Sequence, residues 1–382
     1  MAQDIRAELE DLTTDGLRRT LRRVCGRQGP SMQVDGREVL LFAGANYLGL
    51  AGDPRLVRAS CEAAEQYGCA AGGARLISGN LLLHEMLERE IASFVGTQAA
   101  LLFSSGYLAN LGLITALAGS DDVILSDALN HASIIDACRL SPAETRTFRH
   151  NDTDDLRRIA KTLSGFRRRI LVVDGVFSME GDTARLAEMV PLARDYDLSI
   201  VVDDAHGFGV LGPNGRGTPE SQSVDVEIQI GNLGKALGSF GAFVACSHEL
   251  REYLINRSRQ FIFTCGLPPS VLGAARAALS ILAAESERRE RLMRLANQLR
   301  HGLQAAGYDT GHSNTHIVPA IVGANDATMT LCECALERGI YVQGIRFPSV
   351  PRGTERLRFS PMCDHTPADV DRAIRTLAEL RR

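Results

Sequence analysis

The chain has 382 residues, a formal charge of −4, a pI near 6.2 and 45% hydrophobic residues. That length exceeds one comfortable core and implies two or more packed units, and the acidic balance argues against a nucleic-acid protein, which would carry a basic domain. Nine cysteines without a C-x-x-C pair suggest reduced thiols and a cytoplasmic location, and with no apolar h-region and no run approaching about 18 apolar residues, neither a secretion signal nor a membrane span is expected.

Residues 1–30 are predicted to form an amphipathic helical arm that ends in Arg18, Arg19, Arg22, Arg23 and Arg27 before Gly29-Pro30 breaks it. Such a run is usually a solvated face, although one or two of its members could reach an anionic ligand. Asp35-Gly36 between two apolar stretches predicts a hairpin. Residues 52–96 are expected to be helical around a glycine-rich insertion from Gly68 to Arg75. Short apolar strands then alternate with helices, at 99–103, 123–125, 145–148, 170–174, 199–203, 226–230 and 242–246. Runs buried on both faces and separated by helix indicate a mostly parallel sheet. Pro268-Pro269 closes this domain, a long helix is expected over 270–306, and strands at 317–322, 340–343 and 356–360 with two helices predict a smaller α+β domain. The expected division is an arm over 1–45, a large α/β domain over 46–275 and a small domain over 276–382.

Two of the 42 basic residues are lysines, Lys161 and Lys235. Arginine replaces lysine as a solvated charge but cannot lose a proton and attack a carbonyl. Lys235, set between glycines in Gly231-Asn232-Leu233-Gly234-Lys235-Ala236-Leu237-Gly238, is therefore a candidate imine-forming nucleophile; the alternative is an accidental loop lysine.

Ligands of open α/β sheets gather at the carboxyl ends of the strands. At one end Ser104-Ser105-Gly106-Tyr107 leads into a helix and can cradle a phosphate, or be an ordinary N-cap. At a second, Asp203-Asp204-Ala205-His206 follows an apolar run, and a carboxylate buried there needs a cationic partner such as a protonated pyridine nitrogen. Asp-Asp-Ala-His also resembles the magnesium-binding strand of a P-loop ATPase, an alternative weakened because neither lysine stands in G-x-x-x-x-G-K-[ST], and Gly207-x-Gly209-x-x-Gly212 is a weak dinucleotide signal because Pro213 cannot open the helix it requires. A third end offers Asp174 and Ser178, which either face a cofactor or cap a turn. His131 stands out among nine histidines, which lack H-E-x-x-H and give no metal site. A lysine, a strand-end carboxylate with a histidine and a phosphate cradle together fit pyridoxal 5'-phosphate.

With the segments NYLGL (46–50), FSSGYLANL (103–111), SDALNHASIIDACRLSP (126–142), DGVFSMEGD (174–182), VDDAHGFGVLGPNGRG (202–217), GNLGKALGSFGAF (231–243) and VPRGTERLRFS (350–360), the chain resembles the α-oxoamine synthases of the fold-type-I pyridoxal phosphate enzymes. The resemblance implies an α/β transferase: a large domain with a mostly parallel seven-stranded sheet, a smaller C-terminal α+β domain and an N-terminal helical arm. It implies that Lys235 forms the imine with the cofactor and later acts as acid and base, that Asp203 pairs with the pyridine nitrogen, that His206 bonds the phenolic oxygen, and that His131 stacks on the ring. Gly106, Tyr107 and Asn232 are implied at the phosphate, Ser178 near the ring, and Thr264 in a loop reaching the neighbouring subunit's cofactor. Arg358 is implied at the amino-acid carboxylate, with Asn46, Arg19, Arg346 and Ser349 near substrate. The implied reaction is decarboxylative condensation of L-alanine with a pimeloyl thioester, carried on CoA or acyl carrier protein, to 8-amino-7-oxononanoate in biotin biosynthesis by a homodimer with shared active sites. Another α-oxoamine synthase, such as 2-amino-3-ketobutyrate CoA ligase or a secondary-metabolite homologue, is the alternative. The chain departs from the family pattern at Ala45, Ala71, Ala74, Asn232 and Cys265.

Overall fold

Seven short apolar runs build one sheet in the order Ala99–Phe103, Ala242–Cys246, Ile228–Asn232, Ser199–Asp203, Arg169–Asp174, Val123–Asp127, Glu144–Phe148. The computed structural model describes residues 2–381. Ala242–Cys246 runs antiparallel to both its neighbours and the other pairings are parallel. Alternation along the strands divides the side chains between two cores. Ile124, Ile170, Val172, Val201, Ile230 and Val244 pack in one with the Gly106–Leu117 helix, and Leu125, Leu171, Val173, Ile200 and Val202 pack in the other with the Leu186–Asp195 helix. A sheet covered on both faces explains why its strands are continuous apolar runs.

The chain divides into two compact units, one comprising 45–178 with 182–290, the other the segment up to Gly44, Met179–Gly181 and the segment from Arg291. The limits expected at 45 and 275 differ from this division in two ways. The first segment is not a separate arm: its strand Arg37–Leu41 pairs in parallel with Ile340–Tyr341, which makes it part of the smaller unit. The long helix expected over 270–306 is two helices, Pro269–Ala284 and Glu287–Ala305, and the division falls in the first turn of the second. Phe42, Leu299, Val318, Leu357, Phe359 and Leu377 form the smaller unit's core.

The opening helix also stops early. It covers Ala2–Thr14 and ends at Gly16, whose φ of 65° leaves the helical region, so the arginines from Arg18 onward lie beyond it. Asp35-Gly36 does form the hairpin turn between Ser31–Val34 and Arg37–Leu41, both residues having positive φ. The strand expected at 226–230 runs two residues further on, over Ile228–Asn232, because Asp203 takes Ile230 as its ladder partner. That shift carries Asn232 to the rim of the sheet beside the lysine turn. Lys161, the other lysine, caps the exposed end of the Thr153–Ala160 helix. Among the described residues no helix is long and apolar enough to cross a membrane.

Candidate active site

Lys235 sits in the connection between the antiparallel strands Ile228–Asn232 and Ala242–Cys246. The connection is closed by Leu233 N donating to Gly241 O at 2.9 Å and Ser239 N to Leu233 O at 2.9 Å. Gly238 lies so close to the neighbouring segment that a Cβ there would stand 2.3 Å from Ala51 N. The lysine stem is thus held by a rigid turn at the end of the sheet. Its Nζ lies 2.9 Å from His206 Nε2, and His206 Nδ1 lies 2.7 Å from the hydroxyl of the buried Tyr47. The Tyr47 hydroxyl can donate to or accept from Nδ1, so it fixes the ring orientation in either tautomer and leaves Nε2 facing the amine.

Asp203 ends its strand and is 4% exposed. Its Oδ1 accepts from Ala205 N at 3.0 Å, and its Oδ2 accepts from Asn110 Nδ2 at 2.6 Å. Asn110 also donates to Ser133 Oγ at 2.9 Å, and Ser133 Oγ lies 2.8 Å from His131 Nδ1. Because Ser133 N also donates to that nitrogen, Nδ1 is an acceptor and the His131 proton resides on Nε2. Desolvation lowers the His131 pKa, the Lys235 charge adds to this, and Asp203 opposes it. One continuous hydrogen-bonded path therefore connects Asp203, Asn110, Ser133 and His131. Neither Asn110 nor Ser133 was read from the sequence as a site residue; a lone Asn inside the apolar run 108–114 was the available signal.

The paired carboxylates of the Asp-Asp dipeptide do different work. Asp204 accepts from Thr218 N at 2.8 Å, Thr218 Oγ1 at 2.6 Å and Gln229 Nε2 at 2.9 Å, and is completely buried. Gly175, Gly207 and Gly217 close round it, where any Cβ would fall within 2.4 Å of a carboxylate oxygen. Burial pushes its pKa up to about 7, against the pull of the Thr218 bonds. Asp204 locks the strand end and leaves Asp203 to face the site.

The helix Gly106–Leu117 begins at Ser105, whose side chain caps Leu108 N. Asn232 Oδ1 accepts from Gly234 N at 2.7 Å, which orients its Nδ2 toward Gly106, where a Cβ would come within 3.0 Å. Backbone N–H groups at a helix start and an amide donor make a site for an anion. The Tyr107 hydroxyl is turned away to Asp136, to which it donates at 2.5 Å, so only its backbone N–H is available at that helix start. The donor set thus fits pyridoxal phosphate: an amine for the aldehyde, a carboxylate for the ring nitrogen and N–H donors for the phosphate. Ser178 follows the Arg169–Asp174 strand in a turn of the same unit, and Thr264 lies in a separate loop held by Gly266 N donating to Gly73 O at 3.0 Å. Asn46 Oδ1 accepts from Ala51 N at 3.0 Å, bracing the segment beneath the lysine turn.

The other sequence-expected residues belong to the smaller unit. Arg19, Arg346 and Ser349 line one cavity of about 370 Å³ together with Arg18, Arg22 and Gln343. Arg346 Nη2 donates to Arg18 O at 2.8 Å, and burial followed by repulsion from Arg19 lowers the Arg346 pKa. Arg358 is carried by the strand Arg356–Phe359, its Nη1 donating to Ser360 Oγ at 3.1 Å.

A histidine passed over in the sequence, His150, bridges Asp127 at 2.9 Å and Asp182 at 3.1 Å and packs edge-on against Phe177, 4.4 Å between ring centres. Desolvation opposes its charge, but the two carboxylates raise its pKa to about 10. The imidazolium pins the turn that carries Ser178. Since the folded value lies above the unfolded one near 6.5, the stabilisation is complete below about pH 6.5 and is lost as pH rises toward 10. His150→Gln is expected to reduce stability by about 2–3 kcal/mol at pH 6, with the gap to wild type closing by pH 10 in denaturant titrations. A gap independent of pH would show that the clamp carries no charge.

Residues 37–377 match the aminotransferase class I and II family. The chain is 50% identical, over 100% of its length and 98% of the relative's, to the 8-amino-7-oxononanoate synthase of Geobacter sulfurreducens. Among solved structures, a serine palmitoyltransferase from S. paucimobilis with a bound PLP–myriocin aldimine superposes with a TM-score of 0.94 at 34% identity, covering 99% of this chain and 96% of that one. The 8-amino-7-oxononanoate synthase of Francisella tularensis superposes with a TM-score of 0.78 at 28% identity, covering 89% of this chain and 97% of that one.

Proposed function

The chain belongs to the aminotransferase class I and II family of fold-type-I pyridoxal phosphate enzymes, and from that premise we infer that it condenses L-alanine with a pimeloyl thioester. The products are 8-amino-7-oxononanoate, carbon dioxide and the free thiol carrier, a step of biotin biosynthesis. The observation that carries this reading is Lys235, rigidly presented within 2.9 Å of His206, in a chain 50% identical along its whole length to an 8-amino-7-oxononanoate synthase.

Pyridoxal phosphate, the cofactor, supplies an aldehyde for amines and a protonated ring that withdraws electrons from the substrate α-carbon. The protein's own groups do the rest. Lys235 Nζ takes the α-proton of alanine and later returns one to the product, and the turn that fixes its stem sets the direction of both transfers. Asp203, its Oδ2 anchored by Asn110, holds the ring-nitrogen proton. His206, oriented by Tyr47, bonds the phenolic oxygen, and His131 covers the ring face as a neutral imidazole. The N–H groups at Gly106 and Tyr107 with Asn232 Nδ2 hold the phosphate. Arg358 binds the alanine carboxylate, and Asn46, Arg19, Arg346 and Ser349 serve the substrate chain.

The working form in this reading is a cytoplasmic homodimer in which Thr264 reaches the neighbouring subunit's cofactor. Apolar side chains left open on the larger unit, Ile77 at 84% and Phe263 at 70%, support burial against a second copy. Product analysis tests the assignment: alanine or glycine is offered with pimeloyl, acetyl and longer acyl thioesters. Alanine with pimeloyl thioester is expected to give the amino ketone and carbon dioxide. No product from that pair, alongside turnover of another, would assign the chain to a different α-oxoamine synthase.

A further inference from the structure

Three adjacent parallel strands end on aspartates: Asp203, Asp174 and Asp127, which are 4%, 4% and 1% exposed. Asp174 and Asp203 are direct partners across the ladder. The outer two are well served. Asp203 accepts from Asn110 and Ala205 N, while Asp127 accepts from Leu129 N at 2.8 Å, Asn151 N at 2.8 Å and the His150 cation.

The middle one is not. Among the described residues Asp174 accepts one hydrogen bond, 2.8 Å from His131 N, and forms no ion pair. An ionised carboxylate buried between two others with one neutral donor is costly, and the group avoids the cost by keeping its proton. We propose that Asp174 is a neutral carboxylic acid that positions His131 and leaves Asp203 as the sole negative charge at the ring-nitrogen site.

The groups acting on Asp174 agree in sign. Desolvation dominates and Asp203 adds to it, followed by Asp127; the His131 N–H bond and the Lys235 charge pull the other way and are outweighed, so its pKa lies well above the carboxylate range. The acceptor oxygen fixes the backbone of His131 at the start of the Ala132–Leu140 helix, and hence the ring that helix start presents. A negative Asp174 would compete with Asp203 for the ring-nitrogen proton. A neutral one leaves that proton to a single carboxylate. Asp174 acts through His131 and is a positioning residue, and only the assignment of its effect on the cofactor rests on the function proposed above.

The substitution that mimics a protonated aspartate is Asp174→Asn, which keeps the carbonyl acceptor. In the infrared difference between the wild-type holoenzyme and D174N at pH 7, we expect loss of a protonated-carboxyl C=O band and no loss of carboxylate bands. Loss of carboxylate bands would overturn the proposal, whichever cofactor the protein uses. The pH titration of cofactor absorbance is expected to coincide for D174N and wild type, with kcat/KM within about threefold, whereas Asp174→Ala, which leaves His131 N without its acceptor, loses about tenfold or more. A midpoint displaced by about one pH unit in D174N would equally overturn it. If D174N does not fold, Asp174→Ser takes its place in the infrared comparison with the same two outcomes.

Discussion

Lys235→Ala is expected to abolish the visible absorbance of the attached cofactor and lower kcat/KM by about 10³–10⁴-fold or more, because nucleophile and acid–base group are lost together. His206 stands 2.9 Å from Nζ but cannot replace it, since its other nitrogen is occupied by Tyr47 and its ring is held in place. Lys235→Arg separates charge from reactivity: it keeps the cation and is expected to be as inactive as the alanine variant. Borohydride should fix cofactor to wild-type protein at Lys235 and to neither variant. A yellow, reducible Lys235→Ala protein would sink the assignment.

Asp203→Asn is expected to lower kcat by about 10²–10³-fold, since it removes the charge that keeps the ring nitrogen protonated while preserving shape. The new amide can offer its oxygen to Asn110 while giving up the bond from Ala205 N, a loss of one neutral hydrogen bond. Cofactor absorbance should persist with an altered pH profile. That combination, chromophore kept and turnover lost, distinguishes an electronic role from a structural one. Activity within about threefold of wild type, on the same magnitude scale, would place the ring nitrogen elsewhere.

The difference between these residues and their supports explains what the sequence reveals. Lys235 is conspicuous because the chain otherwise uses arginine, and Asp203 because a continuous apolar run ends on it. Both signals are local, as are those for the seven strands, whose burial on two faces leaves unbroken apolar runs. Asn110 and Asp203 are 93 positions apart, and their bond exists only because a helix and a strand on different parts of the sheet converge. His150 meets Asp127 and Asp182 from 23 and 32 positions away, so no local pattern announces the clamp. The short opening helix is a related case: the charged pattern continues beyond Gly16, and only the left-handed backbone there ends it. The union of the first segment with the C-terminal one is made by a two-residue pairing, Ile340 with Leu40 and Tyr341 with Leu41, and by a shared core that includes Phe42, contacts between distant parts of the chain that no local periodicity encodes.

Asn232 shows how a departure from a family pattern becomes intelligible. An amide there differs from a hydroxyl in having two ends, and the backbone of Gly234 occupies the acceptor end. What remains is a donor aimed at the start of the Gly106–Leu117 helix.

The scarcity of lysine has a practical corollary for chemical labelling. Lys161 is exposed at the end of the Thr153–Ala160 helix, and Lys235 is half-buried in its turn. If Lys235 holds the cofactor as proposed, Lys161 is the side-chain amine left open to an acylating dye. A side-chain amine label is therefore expected to report on a single position, at the end of one helix remote in sequence from Lys235.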